Sequence, residues 1–172
     1  EDKLSLQLEE RKYLSLSESL GPTTGIQAQL PVLLAEFRIE DASDLSQYFS
    51  LLRTLPHYFS SLLSVEEKKK QLGTLPCRST LTHIINQCES YLNDQGTSIL
   101  VSTFTRKIAQ ADFLTEKERQ KAIRKNKELI QKSVIPAYES LLGGLTDLLP
   151  FAGTDGALCH YKDGLPYYEY LV

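Results

Sequence analysis

Apolar side chains recur at steps of three and four residues through most of this 172-residue chain. The pattern is clearest after Pro76, where the apolar positions are Leu81, Ile84, Ile85, Cys88, Tyr91 and Leu92. This spacing places the side chains on one face of an α-helix, whereas a half-buried strand would show strict alternation. The sequence therefore predicts an all-α fold, a multi-helix array of about six to eight helices.

Proline and glycine divide the first part of this pattern into elements. We expect a first helix over Leu4–Leu20 that stops at Gly21-Pro22, because the proline ring and its missing N–H forbid continuation. Thr23–Gln29 reads as a loop or short turn. The apolar run that follows predicts a buried helix beginning at Pro31.

Pro56 is expected to separate two further helices. Asp41 or Ser43 can cap the first, and Gly73 can end the second. The residues predicted to face inward are Leu45, Tyr48, Phe49 and Leu52, then Tyr58, Phe59, Leu62, Leu63 and Val65. The charged run from Glu66 to Lys70 is expected to form an exposed end, with carboxylates preceding ammonium groups.

The pattern in the second half of the sequence predicts one short helix and one long helix. Ile99–Ile108 forms the short one, and Thr115 with Glu118 forms a capping box that opens the long one. The long helix runs to Pro150 over roughly 50 Å at about 1.5 Å per residue, with a kink at Pro136. Its predicted buried stripe is Ile123, Ile130, Val134, Tyr138, Leu141, Leu145 and Leu148.

The domain organisation is predicted to be a single helical domain over residues 1–172, with a glycine-rich loop over residues 150–166. The chain closes on the apolar run Pro166–Val172, whereas a terminus of a soluble domain is usually polar and frayed. We therefore expect the chain to be the N-terminal fragment of a larger protein. A dimer formed through this apolar run is the other expectation.

Charge and hydropathy exclude some partners. The net charge is −3, and the basic positions Lys117, Arg119, Lys121, Arg124, Lys125, Lys127 and Lys132 are interleaved with glutamates. This arrangement favours a solvated helix face over a nucleic-acid stripe. No apolar run reaches the roughly 20 residues of a membrane span.

The cysteines and histidines form no catalytic or metal-binding pattern. Cys77, Cys88 and Cys159 lack a metal-ligand spacing and are predicted to be packing residues. The adjacent pair Cys159-His160 could suggest an activated thiolate, but neighbouring side chains usually point apart. His57 and His83 are predicted to be helix residues without a functional role.

No known catalytic motif is present. The chain contains no H-E-x-x-H, no Walker loop and no nucleophile elbow, and the glycine-bearing segment Gly21–Gly25 carries no lysine and is predicted to be a turn. We therefore assign no catalytic, cofactor-binding or metal-binding residue in this chain.

The order of several short segments is similar to that of a known family. The segments are Thr24-Gly25-Ile26-Gln27, Leu30-Pro31-Val32-Leu33-Leu34, Asp44-Leu45-Ser46-Gln47-Tyr48, Leu55-Pro56-His57-Tyr58-Phe59, Ile84-Ile85-Asn86-Gln87-Cys88, Val134-Ile135-Pro136-Ala137-Tyr138 and Gly164-Leu165-Pro166-Tyr167-Tyr168-Glu169-Tyr170. From about Gly21 to Val172 the chain resembles the amino-terminal half of the bacterial family called domain of unknown function 885.

The resemblance implies a mainly helical protein of several hundred residues, similar to gluzincin-type zinc peptidases. It implies that the H-E-x-x-H helix and a further zinc-binding glutamate lie in the second half, and that zinc is a cofactor of the parent protein only. It also implies a secreted or cell-envelope location, many relatives being lipid-anchored, and a peptide substrate.

Two functions therefore stay open. The first is a non-catalytic helical half of a zinc-dependent peptidase-like protein, which shapes the substrate cleft and pairs with the missing C-terminal half. The second is a self-contained helical binding or scaffold module that docks a partner through its apolar terminus.

Overall fold

The protein is described here by a computed structural model that covers residues 13, 15–93, 97–153, 161 and 163–172. The helices are α1 (Ile26–Glu36), α2 (Ala42–Leu72), α3 (Arg78–Asn93), α4 (Thr97–Ala109), α5 (Glu116–Leu129), α6 (Ile135–Leu148) and α7 (Gly164–Leu171). A π-helical turn over Ile130–Val134 joins α5 to α6, and a 3₁₀ turn over Leu149–Phe151 follows α6. The predicted all-α array is confirmed.

The core lies where α2, α3 and α6 meet. Its largest fully buried side chains include Tyr48, Phe59 and Tyr138. The predicted face of α3 is confirmed, since Leu81, Ile84, Ile85 and Cys88 are all buried. Burial of each large apolar side chain contributes about 1.5–3 kcal/mol, which is why the helical apolar stripes determine the packing.

The long helix is confirmed. Where the sequence predicts a kink at Pro136, the structure has the π-helical turn over Ile130–Val134 directly before it. Thr115 opens α5 with the predicted capping box, in which the Glu118 N–H donates to Thr115 Oγ1 and the Thr115 N–H donates to the Glu118 carboxylate. Pro136 has no N–H for the helical ladder, and the turn that directly precedes it closes instead with the Ile135 N–H on the Ile130 carbonyl.

The predicted break at Pro56 is wrong, because α2 is one helix of 31 residues with Pro56 inside it. Asp41 caps its start and Gly73, at φ 69°, ends it in the left-handed conformation, as expected. A proline inside a helix costs about 3 kcal/mol or more. One continuous buried stripe crosses the proline, through Tyr48, Phe49, Leu52, Leu55, Phe59 and Leu62, and its burial exceeds that cost.

The predicted start of α1 at Pro31 is also wrong. The helix begins at Ile26, within the segment expected to be a loop, so that Pro31 lies inside it. Pro31 leaves the carbonyl of Gln27 without its helical N–H donor. The Tyr138 hydroxyl, from α6, donates to that carbonyl at 2.7 Å in the protein interior. A side chain far along the chain thus replaces the missing hydrogen bond.

The charged run from Glu66 to Lys70 is not uniformly exposed. Glu66 and Lys69 are 1% and 3% exposed and form an ion pair of 2.9 Å, whereas Glu67 and Lys68 are exposed as expected. Glu66 follows Leu62 by four residues, so these two charges continue the buried stripe of α2. The phase of the helix therefore brings them inward.

The predicted first helix falls mostly outside the described residues. The part that is described, residues 13 and 15–20, is not α-helical but forms turns and bends that end at the buried Leu20. Lys69 Nζ donates to the Ser17 carbonyl at 2.7 Å. Serine favours non-helical backbone because its side chain can hydrogen-bond to nearby backbone groups. In this segment the Ser17 carbonyl also has a partner from another element, Lys69, in place of a helical N–H.

Two adjacent glycines of α6 give a matched test of how α2 and α6 pack. An alanine at Gly143 meets no atom within 4 Å, so Gly143→Ala is expected to raise the free energy of unfolding by about 0.5–1 kcal/mol. At Gly144 the new Cβ lies 2.6 Å and 2.8 Å from the Cδ atoms of Leu63. Overpacking costs about 1–3 kcal/mol, so Gly144→Ala is expected to lower stability. Urea unfolding measures both variants, and equal gains would contradict the described contact.

Candidate functional site

Two surface depressions flank α1, one on each side. The α1–α2 groove is lined by Ile26, Leu30, Leu33, Leu34, Phe37, Leu51, Arg53, Thr54, Leu55, His57, Tyr58 and Ser61. The α1–α3 cleft is lined by Gln27, Ala28, Pro31, His83, Asn86, Gln87, Ser90 and Tyr91. Apolar side chains make up most of the lining of the first, whereas most of the residues that line the second carry a hydrogen-bonding group, so α1 separates two chemically different sites.

The α1–α2 groove is open to solvent, mainly apolar, and has a volume of about 770 Å³. Leu33, Leu51 and Tyr58 line it and are 53%, 43% and 43% exposed. Tyr58 was predicted to face inward, and this prediction is wrong because the side chain lies in the groove, one residue before the fully buried Phe59. Exposed apolar side chains that converge in this way are typical of a surface that binds another molecule.

The polar edge of the α1–α2 groove belongs entirely to α2. The Thr54 hydroxyl donates to the Leu51 carbonyl at 2.8 Å, and the Ser61 hydroxyl donates to the His57 carbonyl at 3.0 Å. Both hydroxyls are therefore engaged by the backbone of their own helix. Arg53 and His57 are the titratable residues along this edge.

The α1–α3 cleft, of about 420 Å³, carries neutral hydrogen-bonding groups. His83, Asn86, Gln87 and Ser90 lie at i, i+3, i+4 and i+7 on α3, so they share one face of the helix. The opposite face is the buried apolar stripe of α3. The described residues that line this cleft include no aspartate, glutamate, lysine or arginine, so they offer amides, a hydroxyl, an imidazole and a phenol.

Gln27 fixes the geometry of the α1–α3 cleft. Its Nε2 donates to the Gly21 carbonyl at 2.7 Å and to Gln87 Oε1 at 2.9 Å, while Gln87 Nε2 donates to the Pro22 carbonyl at 2.7 Å. The turn requires glycine at position 25, because a Cβ there would lie 2.2 Å from Gln27 Oε1 and 2.3 Å from the Gly21 nitrogen. Gly21–Gly25 is thus a turn, as predicted, and it holds both amides in place.

An aromatic cluster packs behind Tyr91, which lines the α1–α3 cleft. Tyr91 stacks on Tyr138 with ring centroids 4.0 Å apart, and Phe59 meets Tyr138 edge-on at 5.0 Å. Burial raises the pKa of Tyr91 and, with a smaller contribution from Tyr91 and Cys88, the pKa of Tyr138. Both hydroxyls therefore stay protonated at neutral pH, and Tyr138 remains the donor that holds α1.

The structure places the sequence candidates as follows. Both histidines are helix residues, as predicted. His57 lies in the middle of α2 at the edge of the α1–α2 groove, and His83 lies in the α1–α3 cleft on the polar face of α3. The exposed positions of the basic cluster agree with a solvated face, and Arg119 alone is half-buried, donating to the Ala111 carbonyl at 2.9 Å.

The thiols show no sign of nucleophilic chemistry. Cys88 is fully buried, as predicted, and burial, with a smaller contribution from Glu89, raises its pKa to about 12. Cys77 is half-buried at the start of α3, and the two thiols are not bridged to each other. Cys159 and His160 lie outside the described residues.

Sequence reasoning missed both depressions. The apolar residues from Leu30 to Ala35 occupy every side of α1. This pattern could have indicated an exposed apolar surface, because the core can cover only one side of the helix. Gln27 stands in one of the segments that carry the family resemblance, but the local pattern gave no sign of its role, because its partners lie on other elements. Only tertiary contacts identify it as the organising residue.

Two absences apply to the described residues only. Within that part of the chain, no three histidine, cysteine, aspartate or glutamate side chains are grouped closely enough to hold a metal ion. None of the helices there has the length and apolar character that a membrane span would require.

The geometry defines an all-helical domain with an apolar groove and a polar cleft on the two sides of one helix. The chain belongs to the family described as bacterial protein of unknown function (DUF885), whose model matches residues 1–172. The search of curated proteins found no match.

A solved structure shares the fold. The crystal structure of the putative lipoprotein from Colwellia psychrerythraea matches with a TM-score of 0.78 at 20% sequence identity. The match covers 88% of this chain but only 26% of that chain. This chain therefore corresponds to about a quarter of that protein.

Proposed function

We propose that this chain is a non-catalytic helical part of a larger zinc-dependent peptidase-like protein, in which the α1–α3 cleft forms part of the wall of the substrate cleft. The observation that carries this proposal is the polar face of α3. It presents side-chain donors and acceptors that suit the main-chain N–H and C=O groups of a peptide.

A zinc ion does not fit the part of the chain that the structure describes. The described residues hold no cluster of metal-ligating side chains, so we propose that its ligands lie outside the chain. There, zinc would polarise the scissile carbonyl and activate a water molecule. The contribution of this chain would be to bind and orient the peptide through Asn86, Ser90 and His83, on a surface fixed by Gln27 and Gln87. The resemblance further suggests a secreted or cell-envelope location.

The alternative function is a complete helical binding or scaffold module. The exposed apolar residues of α7, Leu165, Tyr168 and Leu171, favour it, because they offer a docking surface without any need for chemistry. The reading frame after Val172 separates the two functions. A continuing frame that encodes H-E-x-x-H supports the first function, a part of a peptidase-like protein. A stop codon near Val172 supports the second, a binding module.

The role of the cleft is tested by Asn86→Ala in the product of the whole reading frame. Loss of one hydrogen bond to the substrate, about 0.5–1.5 kcal/mol, is expected to raise KM by about two- to tenfold with little change in kcat. The matched control is Asn93→Ala, the same substitution on an exposed residue of α3 outside the cleft. An unchanged KM in the Asn86 variant would remove the cleft from the proposal.

A further inference from the structure

Helix α1 is apolar on more sides than the described residues bury. Six successive residues, Leu30 to Ala35, carry no polar side chain, so they cover the whole circumference of the helix. Leu34 is buried against the core, whereas Leu33 and Val32 are 53% and 54% exposed. A helix that is apolar all round is typical of a buried position, which indicates that something further covers it.

The dimensions of the α1–α2 groove indicate the size of its occupant. One wall runs from Ile26 to Phe37 and the other from Leu51 to Ser61. At about 1.5 Å per residue, both walls are roughly 15 Å long, which equals about three turns of a helix.

The hydrogen bonding of the walls indicates the conformation of the occupant. Both walls are helices, so most of their backbone groups bond within the helix, and the Gln27 carbonyl accepts from Tyr138 instead. The hydroxyls of Thr54 and Ser61 are engaged by the backbone of α2. An extended peptide could not form a continuous series of main-chain hydrogen bonds with these walls. A helix satisfies its own backbone and needs from the groove only apolar contact, which the lining supplies.

Charge indicates what flanks the apolar face of the occupant. Arg53 and His57 line the groove, and none of the described residues that line it is an aspartate or a glutamate. An acidic residue on the edge of the docked helix would complement Arg53. The length of the related protein indicates the source, since the match with this chain covers only 26% of it.

We propose that the α1–α2 groove holds an amphipathic helix of about three turns, apolar on one face and acidic beside Arg53, supplied by a part of the same protein outside this chain. The inference rests on the proposed function only in taking the chain as part of a larger protein. It does not depend on zinc or on catalysis.

The first test uses a synthetic peptide as the probe. A stapled 14-residue helix with leucines at i, i+3, i+4 and i+7 and flanking glutamates is titrated into the purified chain by fluorescence anisotropy. Leu33→Glu is expected to weaken binding at least tenfold, because the charge enters the groove. Val32→Glu is the matched control, since Val32 is equally exposed and adjacent but does not line the groove, and its binding should be unchanged.

The charge preference is read in the same assay. A peptide with lysines in place of the glutamates is expected to bind about three- to fivefold more weakly, and Arg53→Gln should remove this difference. Melting curves confirm that each variant is folded. No binding, or equal losses for the Leu33 and Val32 variants, would overturn the inference.

The second test identifies the source of the helix. Hydroxyl-radical footprinting is expected to label Tyr58 and Leu33 in this chain alone and to label them at least fivefold less in the product of the whole reading frame. Equal labelling would overturn the inference, as would a frame that stops near Val172. Protection that appears in this chain alone as its concentration rises would assign the groove to a second copy instead. Protection without peptide hydrolysis would keep the inference and reject the peptidase proposal.

Discussion

Replacing Lys69 with methionine is expected to lower the free energy of unfolding by about 3–5 kcal/mol, because a buried carboxylate then loses its counter-ion. Lys69 Nζ lies 2.9 Å from Glu66 Oε1 and donates to the Ser17 carbonyl at 2.7 Å. The other carboxylate oxygen, Oε2, is buried and has no hydrogen-bond partner in the described part of the chain. Glu66 therefore depends on this one cation.

The matched control for Lys69 is an exposed pair of similar geometry. Lys132 and Glu128 are 2.7 Å apart but 72% and 58% exposed, and Lys132→Met is expected to change stability by less than about 1 kcal/mol. The double variant Glu66→Met with Lys69→Met should recover much of the loss, because it removes both buried charges. Urea unfolding at neutral pH measures all three, and similar losses for Lys69→Met and Lys132→Met would contradict the described burial.

Replacing Tyr138 with phenylalanine is expected to lower the free energy of unfolding by about 1–3 kcal/mol. The Tyr138 hydroxyl is the donor to the buried Gln27 carbonyl, at 2.7 Å, and phenylalanine keeps the ring but removes the donor. Tyr58→Phe is the control, since Tyr58 is 43% exposed and no described hydrogen bond involves its hydroxyl. Chemical denaturation compares the two variants.

A second substitution tests the cause of this effect. Pro31→Ala restores an N–H four residues after Gln27, so it can supply the helical hydrogen bond that proline removes. We expect Tyr138→Phe to cost less in the Pro31→Ala background, with a coupling of about 1 kcal/mol in the double-mutant cycle. Additive losses would show that the hydroxyl does not compensate for the proline.

The sequence predicted elements where burial follows a local period. The stripe of α3 and the capping box of Thr115 and Glu118 were found in this way, because a few neighbouring residues decide each of them. The same period, followed through Leu62, would also have placed Glu66 and Lys69 inside. A rule that charged residues are exposed overrode it.

The sequence failed where a distant partner decides the outcome. Pro31 and Pro56 were read as helix boundaries because their local cost is large. At Pro31 the compensation comes from Tyr138, 107 residues later along the chain, and at Pro56 it comes from packing on both sides of the proline. Neither compensation is visible in a window of local sequence, and the Gln27 network that orders the α1–α3 cleft is hidden for the same reason.

We propose that this chain binds and orients a peptide, and that the zinc-dependent chemistry lies elsewhere in a larger protein. The most direct measurement compares zinc-dependent hydrolysis of one peptide panel by the purified 172-residue chain and by the product of the whole reading frame. We expect hydrolysis by the longer product, abolished by a chelator, and none by the chain alone. Zinc-dependent hydrolysis by the chain alone would contradict it.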